Sequence, residues 1–158
     1  MSTFTARELR DACGAFATGV TVVTALGPEG PLGITANSFS SLSLDPPLVM
    51  WAPARRSARF AAFTEADRFT IHILNAEQIA LAAGFAGSGD APFADHPWRE
   101  GPDGVPEFAG CAAIFRCTRA AVHPGGDHAI VVGAVESLEH DPNPHPLVFH
   151  AGLYPRLA

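Results

Sequence analysis

The residues best placed to do chemistry gather in one stretch of the 158-residue chain, Gly33 to Trp51, GITANSFSSLSLDPPLVMW. Thr35, Asn37, Ser38, Ser40, Ser41 and Ser43 lie there between two apolar runs, and Pro46 and Pro47 close the polar part. Hydroxyl and amide side chains compete with the backbone for hydrogen bonds and favour turns, and proline disfavours helix on either side. The stretch therefore predicts a strand, a polar loop and a strand. Such a loop suits a flat polar ligand that needs many neutral donors and acceptors. The same composition also makes an ordinary serine-rich turn.

A second group follows Trp51. Ala52-Pro53-Ala54-Arg55-Arg56-Ser57-Ala58-Arg59 holds three of the ten basic residues, and Ser57 is a candidate N-cap for a helix through Phe60 and Phe63. A capped helix start beside arginines can hold a phosphate. It is also what a solvated basic turn beside an ordinary cap looks like. Among the seven histidines there is no HxH or HExxH pattern, and His140, His145 and His150 recur every five residues, a spacing that aligns them on neither helix nor strand. No metal site is expected. The chain has neither a GxSxG nucleophile elbow nor a Rossmann glycine pattern, so a nicotinamide cofactor would not be held in the dinucleotide fold.

The elements that must position these residues are mostly strands. Thr5 to Glu8 has capping-box spacing, and Leu9, Ala12, Cys13 and Phe16 recur at i, i+3, i+4 and i+7, which predicts an amphipathic helix from Ala6 to Ala17. Val20 to Ala25 is β-branched and precedes the turn Gly27-Pro28-Glu29-Gly30-Pro31, which predicts a hairpin with the strand entering the polar stretch. Phe69, Ile71 and Ile73 alternate with Thr70 and His72 as a half-buried strand does, and Asn75 to Gln78 offers a second capping box for a helix ending near Gly84. Phe85 to Gly110 has no sustained period and is expected to be a functional loop or lid. Cys111 to His123 and His128 to Glu139 flank Pro124-Gly125-Gly126-Asp127 as a hairpin, with Gly133 marking a bulge or a close approach, and a last strand is expected over Leu147 to His150. Short strands, turn signals and few helices predict a mainly β barrel with peripheral helices, in one domain spanning 1–158.

Composition narrows the function classes. Apolar residues make up 47% and charged residues 16%, which fits a packed core and a possible oligomer face, while a net charge of −6 argues against nucleic-acid binding. Cys13, Cys111 and Cys117 are odd in number and lack CxxC spacing, so free thiols are expected. No apolar run is long enough for a membrane span, and charged residues occupy the N-terminal region where a signal peptide would be apolar; a cytoplasmic protein with no membrane association is expected.

The run Thr35-Ala36-Asn37-Ser38-Phe39-Ser40-Ser41-Leu42-Ser43-Leu44-Asp45-Pro46-Pro47-Leu48 resembles the signature of the flavin reductase family, the small components of two-component flavin-dependent monooxygenases. Ala17-Thr18-Gly19-Val20-Thr21-Val22-Val23-Thr24 resembles that family's first strand, and the likeness extends to Tyr154. The resemblance implies an FMN-binding split β-barrel of Greek-key type, usually homodimeric, with flavin sites near the subunit interface. It implies that Asn37, Ser38 and the loop backbone bond the isoalloxazine edge, with Thr35 and Ala36 positioning the loop and Ser43 and Leu44 supporting it or touching the ribityl chain. It points to Ser57 and Ala58 with Arg59, and Arg55 or Arg56, for the phosphate, and to Phe85, Ala86 and Tyr154 around the flavin. Asp127-His128-Ala129-Ile130-Val131-Val132-Gly133-Ala134-Val135 resembles a family segment whose histidine, here His128, lies near flavin and nicotinamide; by itself, His128 could as well start a strand and cap the hairpin. One departure is His72, where many relatives carry Asn, and it puts detail of the pocket in question.

The activity so implied is hydride transfer from NADH or NADPH to FMN or FAD, with reduced flavin passing to a separate monooxygenase. The flavin carries the electrons, so no strong nucleophile is needed. A carrier that stores FMN without reductase turnover, and a haem or other ligand binder on the same barrel, are the alternatives.

Overall fold

The computed structural model describes residues 3–87 and 93–158. Helix α1 (Ala6–Gly14) starts at the expected capping box: Thr5 Oγ1 accepts the Glu8 amide at 3.2 Å and the Glu8 carboxylate accepts the Thr5 amide at 2.7 Å. It ends earlier than the periodicity suggests, at Gly14, because the chain must turn to place β1 (Thr18–Gly19) against β11 (Val148–Phe149). No residue of α1 is buried, and Leu9 and, just beyond the helix, Phe16 are exposed.

The main sheet is built from hairpins. β2 (Thr21–Gly27) and β3 (Gly30–Ala36) pair through the Pro28-Glu29 turn, with Gly30 at φ +127°, a conformation open to glycine. β9 (Ala113–Gly125) and β10 (His128–His140) form the long hairpin expected around Gly126 and Asp127. The register slips between Val132 and Gly133, where a Cβ on Gly133 would lie 2.6 Å from Phe69 Cζ, so both the bulge and the close approach predicted for this glycine are present. With β4 (Ser40–Leu44), β5 (Pro47–Trp51) and β6 (Arg68–Ile73), the antiparallel strand order is β3-β2-β6-β9-β10-β5-β4. The edge strands β3 and β4 are consecutive in the chain but not hydrogen-bonded, so the curled sheet is a barrel left open at one seam. Ser40 to Ser43, expected in a loop, instead pair with β5, and β4 turns into β5 through a cis Asp45–Pro46 bond.

The barrel interior is apolar. Trp51 packs edge-on to Phe63 of helix α2 (Phe60–Glu65) at 5.2 Å, beside Phe69, Val23, Ile71 and Val131. Phe39, in the link from β3 to β4, stacks on Phe115 of β9 at 5.7 Å and packs against this core. Helix α3 (Ile79–Ala86) lies on β3 and runs two residues beyond the expected end at Gly84. The Asn75 and Gln78 side chains do reciprocate, Oδ1 accepting the Glu77 amide and Oε1 accepting the Asn75 amide, but they close a turn before the helix rather than its first turn.

The segment expected as a lid is in part a structural plug. Among its described residues, β7 (Arg99–Glu100) and β8 (Pro106–Glu107) form a short hairpin, and Phe93 and Phe108 pack on Phe85 at 5.0 and 5.4 Å; residues 88–92 lie outside the described part. Glu107 is 1% exposed and is held by Arg116 and Arg99, which both also reach Glu139. Burial pushes its carboxyl up, but the two guanidinium groups outweigh this and hold it below the usual carboxylate range.

Candidate functional site

A cavity of about 530 Å³ opens where the ends of β3, β5, α3 and β10 meet. Small-molecule and cofactor sites usually fall between roughly 300 and 1,000 Å³. Each wall has a local cause. At the end of β3, Thr35 Oγ1 donates to the Ala82 carbonyl of α3 at 2.6 Å, which fixes the strand to the helix. Ser38 Oγ accepts the Ala52 amide at 2.9 Å and donates to the Ala52 carbonyl at 3.4 Å, joining the link after β3 to the residue after β5. The hydroxyls of the polar stretch are therefore partly spent on shaping the wall. The Asn37 side chain has no hydrogen bond within the described chain and remains available to a ligand.

The opposite wall is tied to the tip of the long hairpin. Ala129 donates its amide to the Pro53 carbonyl at 3.1 Å and Arg55 donates its own to the Asp127 carbonyl at 2.8 Å, so Pro53 to Arg55 runs along the start of β10. This places His128 on the cavity. Its Nδ1 donates to the Asp127 carboxylate at 2.7 Å, leaving Nε2 unengaged, and that bond holds the Asp127 carboxyl below the usual range.

Of the residues read from the sequence, Thr35, Ala36, Asn37, Ser38, Arg56, Ser57, Arg59, Ala86 and His128 do line one cavity. The others lie elsewhere. Ser43 and Leu44 belong to β4, and Leu44 is 94% exposed. Ala58 is exposed and off the cavity wall. Arg55 donates Nε to the Gly126 carbonyl at 3.0 Å and lies over the Phe60 ring, turned from the cavity. Phe85 is fully buried against Gly33 and the aromatic plug. Tyr154 packs on Phe149 at 5.5 Å, away from the cavity.

Ser57 is not the helix cap. α2 begins at Phe60 with Arg59 at the cap position, and Ser57 Oγ accepts the Arg59 amide at 3.2 Å. His72 is fully buried outside this cavity: Nδ1 donates to the Val22 carbonyl at 2.9 Å and Nε2 accepts the Phe108 amide at 3.2 Å, so its difference from Asn bears on the core rather than the pocket. Burial pushes its pKa down to about 4. Sequence reasoning did not pick out Trp51, which floors the cavity while serving the core, or the backbone of Ala52 to Ala54. The only local signal for the latter is their place between a core strand and the arginines.

The lining thus offers a free amide, hydroxyls, an imidazole and Arg56, which forms no hydrogen bond or ion pair with a described residue. Such a set recognises a polar planar ligand bearing an anion, and it has no nucleophile activated by a base.

The flavin reductase like domain family matches residues 13–158. The chain is 51% identical over 152 residues to the FMN reductase (NADH) SmoA of Agrobacterium fabrum, covering 96% of this chain and 86% of that protein. It is 40% identical over 150 residues to HsaB of Mycobacterium tuberculosis, the reductase subunit of a flavin-dependent monooxygenase, covering 94% and 80%. Some relatives are longer: this chain spans 44% of a probable flavin reductase of Rhizobium meliloti. In structure it superposes with a TM-score of 0.92 on the NADH:FAD oxidoreductase SgcE6 of Streptomyces globisporus in complex with NAD and FAD fragments, at 36% identity over 96% of this chain and 92% of that one. An open-seamed barrel with a polar cavity at the end of β3, matched over nearly its whole length, makes this chain a member of the flavin reductase family.

Proposed function

We propose that the protein, as one domain, is an NAD(P)H:flavin oxidoreductase, which moves hydride from NADH or NADPH to FMN or FAD and releases reduced flavin to a separate flavin-dependent monooxygenase. The observation that carries this reading is the cavity in which Asn37, Ser57, Arg56 and His128 converge in a chain of this family. Relatives named as an NADH-dependent FMN reductase and as a monooxygenase reductase subunit support it.

The donor set fits a flavin. The Asn37 amide suits the hydrogen-bonding edge of the ring, and Arg56 and Ser57 suit the phosphate. A bound flavin supplies the two-electron acceptor that no side chain here provides. The chain's own part is to hold two planar rings in register, since orientation accounts for much of the barrier lowering in such reactions. His128, fixed through Nδ1 by Asp127, presents Nε2 to accept a hydrogen bond from the nicotinamide carboxamide. The departure at His72, one of two grounds for a carrier without turnover beside a weakly defined nicotinamide site, lies outside the cavity.

Exposed Leu9 of α1, Phe16 just beyond it, Leu44 and Leu153 support a homodimer that covers them, which light scattering after gel filtration tests. Among the described residues no helix is long and apolar enough to cross a membrane, and the exposed free thiol of Cys13 supports a cytoplasmic setting.

The test of the activity is loss of reduced-nicotinamide absorbance with NADH or NADPH, with and without FMN or FAD. Oxidation that depends on added flavin is expected. Stoichiometric flavin retained through gel filtration without turnover would move the reading to the carrier.

A further inference from the structure

Arg59 lines the cavity, yet its guanidinium is already engaged. Nη1 donates to the Gly33 carbonyl at 2.5 Å and Nη2 to the Gly87 carbonyl. Both acceptors are backbone groups in need of a donor. Gly33 lies in β3, an edge strand with no strand paired on its open side among the described residues, and Gly87 is the C-cap of α3, whose last turn contains no basic residue. Edge-strand and C-terminal helix carbonyls are left over by secondary structure, and a cation is favoured at a helix C-terminus. A guanidinium reaches two such groups at once because its N–H donors point in a fixed fork.

Two further contacts lie along the same joint. Thr35 Oγ1 bonds the Ala82 carbonyl, and the Phe85 ring packs so closely on Gly33 that a Cβ there would lie 2.4 Å from Cε1. The first lies nearer the start of α3, and the second meets Arg59 at Gly33. Arg59 adds the bond at its outer end, where Ala86 and Gly87 form the cavity rim. Its guanidinium is half-buried, and desolvation lowers its pKa from the usual arginine value, as expected of a group packed into the wall rather than extended to solvent. Arg56, earlier in the same turn and exposed, has no such partner among the described residues.

We propose that Arg59 is a positioning residue that sets the width of the flavin cavity by cross-linking β3 to the C-terminal end of α3, and that the flavin phosphate is met by Arg56 and Ser57 instead. This rests on the flavin reading above. The two arginines then differ in role, Arg59 shaping the site for the ring and Arg56 recognising the anion.

The experiment compares FMN with riboflavin, which has the same ring and no phosphate, by fluorescence titration of the wild type, Arg59→Ala, Arg59→Lys and Arg56→Ala. Arg59→Ala weakens both ligands by a common factor of roughly ten, leaving their ratio unchanged, and Lys, whose single nitrogen lacks the fixed two-nitrogen fork, does not fully restore the wild-type values. Arg56→Ala weakens FMN by roughly tenfold and riboflavin by less than about twofold. Loss confined to FMN in Arg59→Ala, or full recovery with Lys, would show a phosphate ligand and overturn the proposal. Hydrogen exchange of the protein without flavin gives a second readout: amides at the end of α3, Ala82 to Gly87, exchange faster in both Arg59 variants while the β9–β10 hairpin is unchanged. Unchanged exchange there overturns the cross-link whatever the titrations give. A wild type that binds neither flavin, with faster exchange in the variants, refutes the flavin reading and leaves the cross-link standing.

Discussion

Replacing His72 by Asn should remove a pH dependence of stability and cost stability at neutral pH. The imidazole is fully buried, donates from Nδ1 to Val22 and accepts the Phe108 amide at Nε2, so the fold requires the neutral ring. Burial lowers its pKa to about 4 from an ordinary value of 6.5, while the Val22 bond and Glu107 oppose the shift without cancelling it. In the unfolded chain the ring takes up a proton at the ordinary value, so between pH 6.5 and 4 the unfolded state binds more protons than the folded one. The His72 contribution is then complete above about pH 6.5, falls as pH drops to about 4, and is flat below it. The gap corresponds to about 3 kcal/mol lost across that window. An Asn side chain keeps a donor for the Val22 carbonyl but is too short to reach the Phe108 amide. His72→Asn should therefore lose about 1–3 kcal/mol at pH 7.5, the cost of an unsatisfied buried donor, and should lack the His72 part of the acid slope. Urea unfolding of both proteins at half-unit steps from about pH 7.5 to 4.5 measures this, and the difference between the two curves isolates the one residue. Parallel curves across that range would refute the reasoning.

Gly33→Ala places a Cβ 2.4 Å from the Phe85 ring and should destabilise by about 1–3 kcal/mol, read from the urea midpoint, because a packed aromatic must shift. Arg116→Met leaves Glu107 buried with only Arg99, and should lose about 3–5 kcal/mol in the same assay at neutral pH. His128→Asn removes the ring that Asp127 orients and should raise KM for the reduced nicotinamide by roughly tenfold with a smaller change in KM for flavin. An equal rise for both substrates would place His128 in the general scaffold.

The local features of this fold were legible because their hydrogen bonds close within a few residues. Thr5 and Glu8 cap α1 across three residues, and Gly126 with Asp127 turns β9 into β10. Gly133 signalled its close approach to Phe69 because an isolated glycine in a strand is otherwise unfavourable. Ser40 to Ser43 misled for the same reason in reverse. Their side chains favour turns, but pairing with β5 supplies backbone partners that composition does not reveal.

The three arginines after Trp51 mark the boundary most clearly. Their sequence alone determined that a cationic turn follows a core strand near a polar stretch, and that is where the cavity lies. Tertiary structure decided their separate directions: Arg55 to the Gly126 carbonyl, Arg56 to the cavity with no bonded partner among the described residues, and Arg59 to β3 and α3. Each direction depends on an acceptor 26 to 71 residues away in sequence, or on the lack of one. Side-chain direction in a turn is set by such distant partners, whereas the presence of the turn is set by the residues within it.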